Sequence, residues 1–109
     1  LIAENACADR FVMGQASPEG WRAIDLASHE VQITASGRDP LVGVGRNVLG
    51  DPRVALAWIA NELSTHGLTL ESGQVVTTGT CSIPIPVAPG VQIDADYGPI
   101  GRIAVRFIE

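Results

Sequence analysis

Seven consecutive apolar residues, Val54 to Ala60, are bracketed by the strongest helix punctuation in the chain. Asp51 stands where an N-cap carboxylate takes up unpaired amide hydrogens, Pro52 follows at the first helical position, and Gly67 supplies a C-terminal stop. Between them Val54, Leu56, Trp58, Ile59 and Leu63, with Ala55, Ala57 and Ala60, cover nearly the whole circumference for two turns; only Glu62 and Ser64 to His66 are wet. A helix that is apolar on every side belongs in an interior, so the pattern predicts one buried helix around which the rest is built. Seven apolar residues are far short of the roughly 20 that cross a bilayer, and no membrane span is expected.

Around this helix the pattern is β. From His29 to Ala35, Val31, Ile33 and Ala35 alternate with Glu30, Gln32 and Thr34, as a half-buried strand requires. Ser36-Gly37-Arg38-Asp39 turns the chain, and Leu41 to Gly45 reads as the returning arm of a hairpin, its two glycines implying a bulge or a close backbone approach. Gln74 to Thr78 reads as a further strand. Ile83-Pro84-Ile85-Pro86 lacks alternate amide donors and is an edge or loop. Val91 to Ala95 and Arg102 to Ile108, joined by Asp96-Tyr97-Gly98-Pro99-Ile100-Gly101, form a closing meander. Earlier, Leu1 to Met13 reads as a short helix or turn and a brief strand at Phe11-Val12-Met13, and Ser17-Pro18-Glu19 as one helical turn with Trp21 tucked beneath it. Five or six short strands with one good helix make an α+β or mainly β architecture, and a parallel βαβ fold is disfavoured.

Length and charge narrow the function. The chain has 109 residues, one domain's worth, with 46% hydrophobic and 17% charged residues. All seven basic residues are Arg, which excludes Schiff-base lysines, a lysine general base and a phosphate-loop lysine from this chain. A net charge of −5 without an arginine cluster argues against nucleic acid and anionic membranes as partners. Two cysteines, Cys7 and Cys81, are too few for a disulfide framework, and no positively flanked secretory segment opens the chain, so a cytoplasmic protein is expected. The sequence begins Leu1-Ile2-Ala3 without an initiator Met, already inside an apolar run, and reads as a processed or partial chain.

Few constellations carry chemistry. His29 and His66 lie far apart without matching ligand pairs, and His66 reads as a surface residue in the last helical turn. Asp94 and Asp96 share a strand face and suit a hard cation, although a carboxylate just before Gly98-Pro99 more commonly caps the turn. Cys81 paired with either histidine is conceivable as a nucleophile, with nothing local to activate it. Gly43-Val44-Gly45 lacks the context of a dinucleotide loop. Glu4 and Asn5 are either a satisfied cap or a ligand-facing pair. Thr78-Gly79-Thr80 offers two hydroxyls and an approachable amide to a carboxylate, but spacing alone does not decide for that role.

The ordered set of segments resembles the 2-keto-4-pentenoate hydratase and 4-oxalocrotonate decarboxylase family of the fumarylacetoacetase superfamily. The resemblance rests on Ala3 to Gly14, on Val48-Leu49-Gly50-Asp51-Pro52 with Ala55 to Asn61, on Ser72 to Thr80, on Pro86 to Gly90, and on Ala95 to Gly101 with Val105-Arg106-Phe107. It covers essentially the whole chain and matches the C-terminal portion of longer proteins. It implies a mixed, mainly antiparallel β-roll of the fumarylacetoacetase C-terminal type with one buried helix, residues 1–109 being the C-terminal part of a single catalytic domain. It implies a homo-oligomeric metal-dependent lyase of aromatic catabolism that hydrates 2-hydroxypenta-2,4-dienoate or a substituted relative, or decarboxylates 4-oxalocrotonate. Mg2+ or Mn2+ would act as the Lewis acid, its Glu-x-Glu and further acidic ligands lying outside this chain. On this resemblance Thr78 and Thr80 contact the substrate carboxylate, Cys7 replaces a substrate-facing Ser with a weak S–H donor, and Asn5 keeps the family's Asn beside Glu4, which adds a methylene. A non-catalytic structural subunit is the alternative from another class. The uncovered sheet edges and apolar helix call for the missing N-terminal half or other subunits.

Overall fold

The computed structural model of the chain describes residues 10–18 and 20–108. Its centre is a four-stranded sheet of β1 (Glu30–Ala35), β2 (Leu41–Val44), β3 (Gln92–Asp96) and β4 (Arg102–Arg106), in the spatial order β2-β1-β3-β4. Every neighbouring pair is antiparallel. The sheet described is therefore wholly antiparallel with four strands, where a mixed, mainly antiparallel roll drawing on five or six short strands was expected.

Register follows from the period of two. Residues directly opposite in an antiparallel pair share a face. Val31↔Gly43, Ile33↔Leu41, Ile33↔Ala95, Ala95↔Ile103 and Ile93↔Val105 thus assemble one apolar face. Gln32, Thr34, Asp94, Asp96, Arg102 and Arg106 fall on the other. A slip of one residue would exchange the faces, which is why the alternation read from Val31 to Ala35 fixes the pairing. The buried hydrophobic core of the described residues is small and sits at one end of this face: Val31, Ile33 and Val48.

The helix α1 runs Pro52–Thr65, with Asp51 as N-cap accepting from the Arg53 amide at 2.8 Å. Its far end closes as a Schellman motif. The Leu68 amide reaches back to the Leu63 carbonyl at 2.9 Å and the Gly67 amide to Ser64 at 3.1 Å, with Gly67 at φ +72° in the left-handed region. The expected ends are thus present, but the expected burial is not. No residue of α1 is buried, and Val54, Leu56 and Trp58 are 50%, 42% and 62% exposed. Only the stripe Pro52, Ala55, Ile59 and Leu63 is half-covered. An apolar circumference states what a helix needs around it, and among the described residues only one side of it is covered.

Three smaller expectations also change. Phe11-Val12-Met13 forms no strand, and neither does Gln74 to Thr78. Ser17 and Pro18, expected in a helical turn, are not helical, and a single 3-10 turn instead follows at Trp21–Ala23; Glu19 lies outside the described residues. Trp21 stays 40% exposed, with the Arg22 guanidinium stacked 4.3 Å above its ring.

The cap has a testable consequence. Arg53 both donates its amide to Asp51 and pairs with it through its guanidinium, at 2.6 Å for the closest contact, and these bonds hold the Asp51 carboxyl below its ordinary range. A depressed carboxylate stabilises the fold at all pH values above its unfolded pKa, and that stabilisation disappears as pH falls through the depressed folded value. Asp51→Ala should lower the thermal midpoint by a few degrees at neutral pH. In strong acid the difference from the parent should vanish; melts at the two pH values check both statements.

Candidate functional site

A cavity of about 450 Å³ opens over the end of the apolar face, within the range of small-molecule sites. Val31, Gly45 and Val48 form the floor, residues 76–79 with Cys81 one side, Tyr97, Ile100 and Ile103 another, and residues 11–14 a further one.

Two close backbone approaches hold the wall that carries Thr78. Cys81 docks against the sheet edge, its carbonyl accepting from the Val44 amide at 3.0 Å and the Asn47 side-chain amide at 2.8 Å. Gly43 makes room for it, because a Cβ there would stand 3.0 Å from the Cys81 sulfur. The close approach expected of the Gly43 pattern is found here. Gly79 lies against Val48, a Cβ at Gly79 meeting Val48 Cγ1 at 3.1 Å. Across the mouth, Gly14 passes over Ile103 so tightly that a Cβ would come within 2.9 Å of it.

Of the predicted contact residues, Thr78 is half-buried and lines the cavity together with Thr77 and Gly79. Thr80 is exposed and is absent from the lining. Its hydroxyl donates to the Ser82 carbonyl at 2.8 Å and accepts the Ser82 amide at 3.3 Å, a local turn that occupies it. Cys7, Glu4 and Asn5 lie outside the described residues.

Three ionisable side chains line the cavity. Tyr97 has its phenol pushed above the ordinary value by burial first and by the neighbouring Cys81 second, so it remains a donor at neutral pH. Cys81 is a free, half-buried thiol. His29, at the foot of β1, sits with its Nε2 2.6 Å from the Tyr97 carbonyl. None of these three was assigned to the site from the sequence. The Tyr97 turn lay within the family-like segments, but the partner of His29 is a backbone atom 68 positions away, which no local pattern announces.

The described residues do not fit a divalent metal. Magnesium and manganese sites use clustered oxygen ligands, and the described lining contributes no carboxylate. Among the described residues no group of three or more His, Cys, Asp or Glu is placed to hold an ion. Asp96 accepts from the Gly98 amide at 2.8 Å and Asp94 from Gln92 at 3.1 Å, on the polar face away from the cavity. The turn-capping reading of Asp96 is the correct one. His66 is exposed beside Glu62, one turn back along the helix and 3.3 Å distant. No helix of the described residues is long and apolar enough to cross a membrane.

An antiparallel α+β domain with an apolar, hydroxyl-edged cavity and no metal cluster among its described residues is the class that fold and site define, and known proteins give it a family. No family model matches the chain. The 2-hydroxyhexa-2,4-dienoate hydratase of Comamonas testosteroni is 31% identical over 108 residues, covering 99% of this chain and 40% of that protein. The 2-oxo-hept-4-ene-1,7-dioate hydratase of Escherichia coli is 31% identical over 98% of this chain and 40% of its own length. The solved 4-oxalocrotonate decarboxylase of Pseudomonas putida G7, complexed with magnesium and adipate, superposes with a TM-score of 0.83 at 32% identity over 98% of this chain and 40% of that one. Over the stretch it spans, the chain belongs to the 2-keto-4-pentenoate hydratase and 4-oxalocrotonate decarboxylase family. It spans about two-fifths of the length of the curated relatives it matches.

Proposed function

We propose that residues 1–109 are the C-terminal part of a fumarylacetoacetase-like catalytic domain in a cytoplasmic, metal-dependent hydro-lyase of aromatic catabolism. The enzyme adds water to 2-hydroxypenta-2,4-dienoate or a substituted 2-hydroxy-dienoate, giving a 4-hydroxy-2-oxo acid. The observation that carries this reading is the cavity with Thr78 on its wall, in a chain whose relatives are dienoate hydratases. In this reading the Thr78 hydroxyl donates to the substrate carboxylate, and Ile100, Ile103, Val31 and Val48 exclude bulk water from the conjugated tail. Thr80 reaches the ligand only after its turn with Ser82 opens, and Cys7 serves as a further substrate contact supported by Glu4 and Asn5. The Mg2+ or Mn2+ ligands lie in polypeptide outside these 109 residues.

The same polypeptide, or further copies of the protein in a homo-oligomer, covers the apolar surface. Fourteen large apolar side chains of the described residues are at least two-fifths exposed, Trp58, Phe11 and Met13 among them, which is far more than a stable monomer leaves bare. The solved decarboxylase neighbour favours a second reading, 2-oxo acid decarboxylation of the 4-oxalocrotonate type. A third reading, from another class, is a non-catalytic structural subunit of such an enzyme.

One assay separates them. The full-length protein, supplied with Mg2+ or Mn2+, is given a 2-hydroxy-dienoate and an oxalocrotonate while absorbance loss and CO2 release are followed. Hydration is the expected outcome. CO2 release alone supports the decarboxylase, and inertness toward both supports the structural subunit. Thr78→Val should lower kcat/KM at least about tenfold, the scale of one lost hydrogen bond to a charged group. Thr80→Ala should cost less. Unchanged kinetics in both variants would remove the site assignment.

A further inference from the structure

A hydratase that keeps bulk water off its substrate still has to hold the one molecule it adds. Water inside an apolar cavity persists only where about two to four polar groups bind it. The described lining has few to give. Thr78 is engaged by the substrate carboxylate in the reading above, Thr77 is exposed, and His29 commits its Nε2–H to the Tyr97 carbonyl at 2.6 Å. The phenol of Tyr97 and the thiol of Cys81 are left.

The sheet register puts these two side chains in one row. Val31 stands opposite Gly43, and the pairing of Ile33 with Ala95 and Gln32 with Asp96 brings Tyr97 beside Val31 when carried one residue further. Tyr97 follows Ile93 and Ala95 onto the apolar face. The Cys81 sulfur occupies the space over Gly43, 3.0 Å from where a Cβ would lie. Across the cavity floor the row is therefore Cys81, the buried Val31 and Tyr97, and the influence of Cys81 on the half-buried phenol fits two side chains that face each other over Val31. The main chain of Tyr97 is clamped on both sides, its amide donating to the Gly101 carbonyl at 2.8 Å and its carbonyl accepting from His29. No group of the described residues hydrogen-bonds the phenol oxygen, which can both donate and accept.

We propose that Tyr97 is a catalytic residue of the hydration step, its hydroxyl holding the attacking water over the substrate alkene with the Cys81 thiol as the weaker second partner. This rests on the functional reading above and adds to it a residue for one step. Before that step the 2-hydroxy-dienoate passes to its 2-oxo tautomer, the enol hydrogen being replaced by one on C5. The water oxygen then bonds to C4, the π bond between C3 and C4 breaks, and one hydrogen of the water ends on C3, giving the 4-hydroxy-2-oxo acid. Nothing is oxidised or reduced. The phenol, held above its ordinary pKa by burial, leaves the step with the proton it brought.

Tyr97→Phe removes the hydroxyl and keeps the ring, so the full-length variant should melt with the parent. Given Mg2+ and 2-hydroxypenta-2,4-dienoate in D2O, it should hydrate at least about tenfold more slowly at saturation, with KM unchanged. Deuterium should continue to enter C5, because tautomerisation needs no water at C4, and NMR should find the 2-oxo-3-enoate accumulating. Cys81→Ala should show the same split with a smaller loss, about threefold, and carries the test if Tyr97→Phe melts early. Parental hydration in either variant, deuterium entry falling as far as hydration, or a raised KM with kcat unchanged would each overturn the assignment. When the parent hydrates the dienoate and one of these results follows, the inference alone fails; when the parent hydrates no dienoate, the functional reading fails and the inference goes with it.

Discussion

Gly45→Ala is expected to leave little folded protein. A Cβ at position 45 would overlap the Leu26 carbonyl oxygen and stand 2.8 Å from its carbon, so something must move. The obstacle is backbone, and both sides of it are clamped. The Gly45 amide donates to the His29 carbonyl at 3.1 Å, the Arg46 amide to Ala27 at 2.7 Å, and the Gly45 carbonyl receives the Val48 amide at 3.0 Å. Relief of the clash would break this strap, which ties β2 to the segment leading into β1 and seats the buried Val48. Overpacking a well-filled site costs about 1–3 kcal/mol and more when backbone must yield, so about 3 kcal/mol or more is expected here, a large share of a typical domain's stability. Soluble yield and thermal midpoint of the full-length protein measure it. Gly43→Ala, where the nearest atoms are the Cys81 sulfur at 3.0 Å and its carbonyl at 3.1 Å, should be milder, since Cys81 belongs to an irregular segment that can shift. A Gly45→Ala protein melting with the parent would mean that residues 26–29 do not pack there.

The same clamp shows which parts of the molecule were legible beforehand. β1 and β2 were readable because an alternating pattern has only one register that buries Val31 and Ile33, and the helix ends were readable because Asp51, Pro52 and Gly67 act through their own backbone neighbours. The cover of α1 was not, since sequence periodicity records the appetite of a surface for a partner and is silent about which polypeptide supplies it. Gln74 to Thr78 failed for a related reason: a strand exists only where another strand receives its hydrogen bonds. Thr78 and Thr80 were placed together at the ligand by the family-like segment ending Thr78-Gly79-Thr80, spacing alone not deciding for that role. In the fold Gly79 takes φ +128°, with Thr78 on the cavity wall and Thr80 in a turn with Ser82. His29 escaped because its position depends on the fold bringing the Tyr97 carbonyl to it.

Gly79 is accordingly where a single methyl group should do the most damage to activity. At φ +128° an L-residue is strained by about 1–3 kcal/mol whatever space surrounds it. Space is short as well, for the new Cβ would press on Val48 Cγ1 at 3.1 Å, and Val48 is buried and cannot swing away. The peptide between Thr78 and Thr80 must therefore rotate or retreat from the sheet, and the Thr78 hydroxyl moves with it. Displacements of about 1 Å at a positioning group can cost 10²-fold in rate, so Gly79→Ala should lower kcat/KM by about that factor while the protein remains folded, the strain being confined to a segment outside the sheet. The mechanism is checked by combining it with Thr78→Val. Because both substitutions remove the same hydroxyl from the same place, the double variant should be scarcely worse than Gly79→Ala alone, a coupling that approaches the full effect of Thr78→Val. Strict additivity in kcat/KM would show that Gly79 serves some other part of the site, and parent-like activity in Gly79→Ala would show that the hydroxyl on this wall does not touch the substrate.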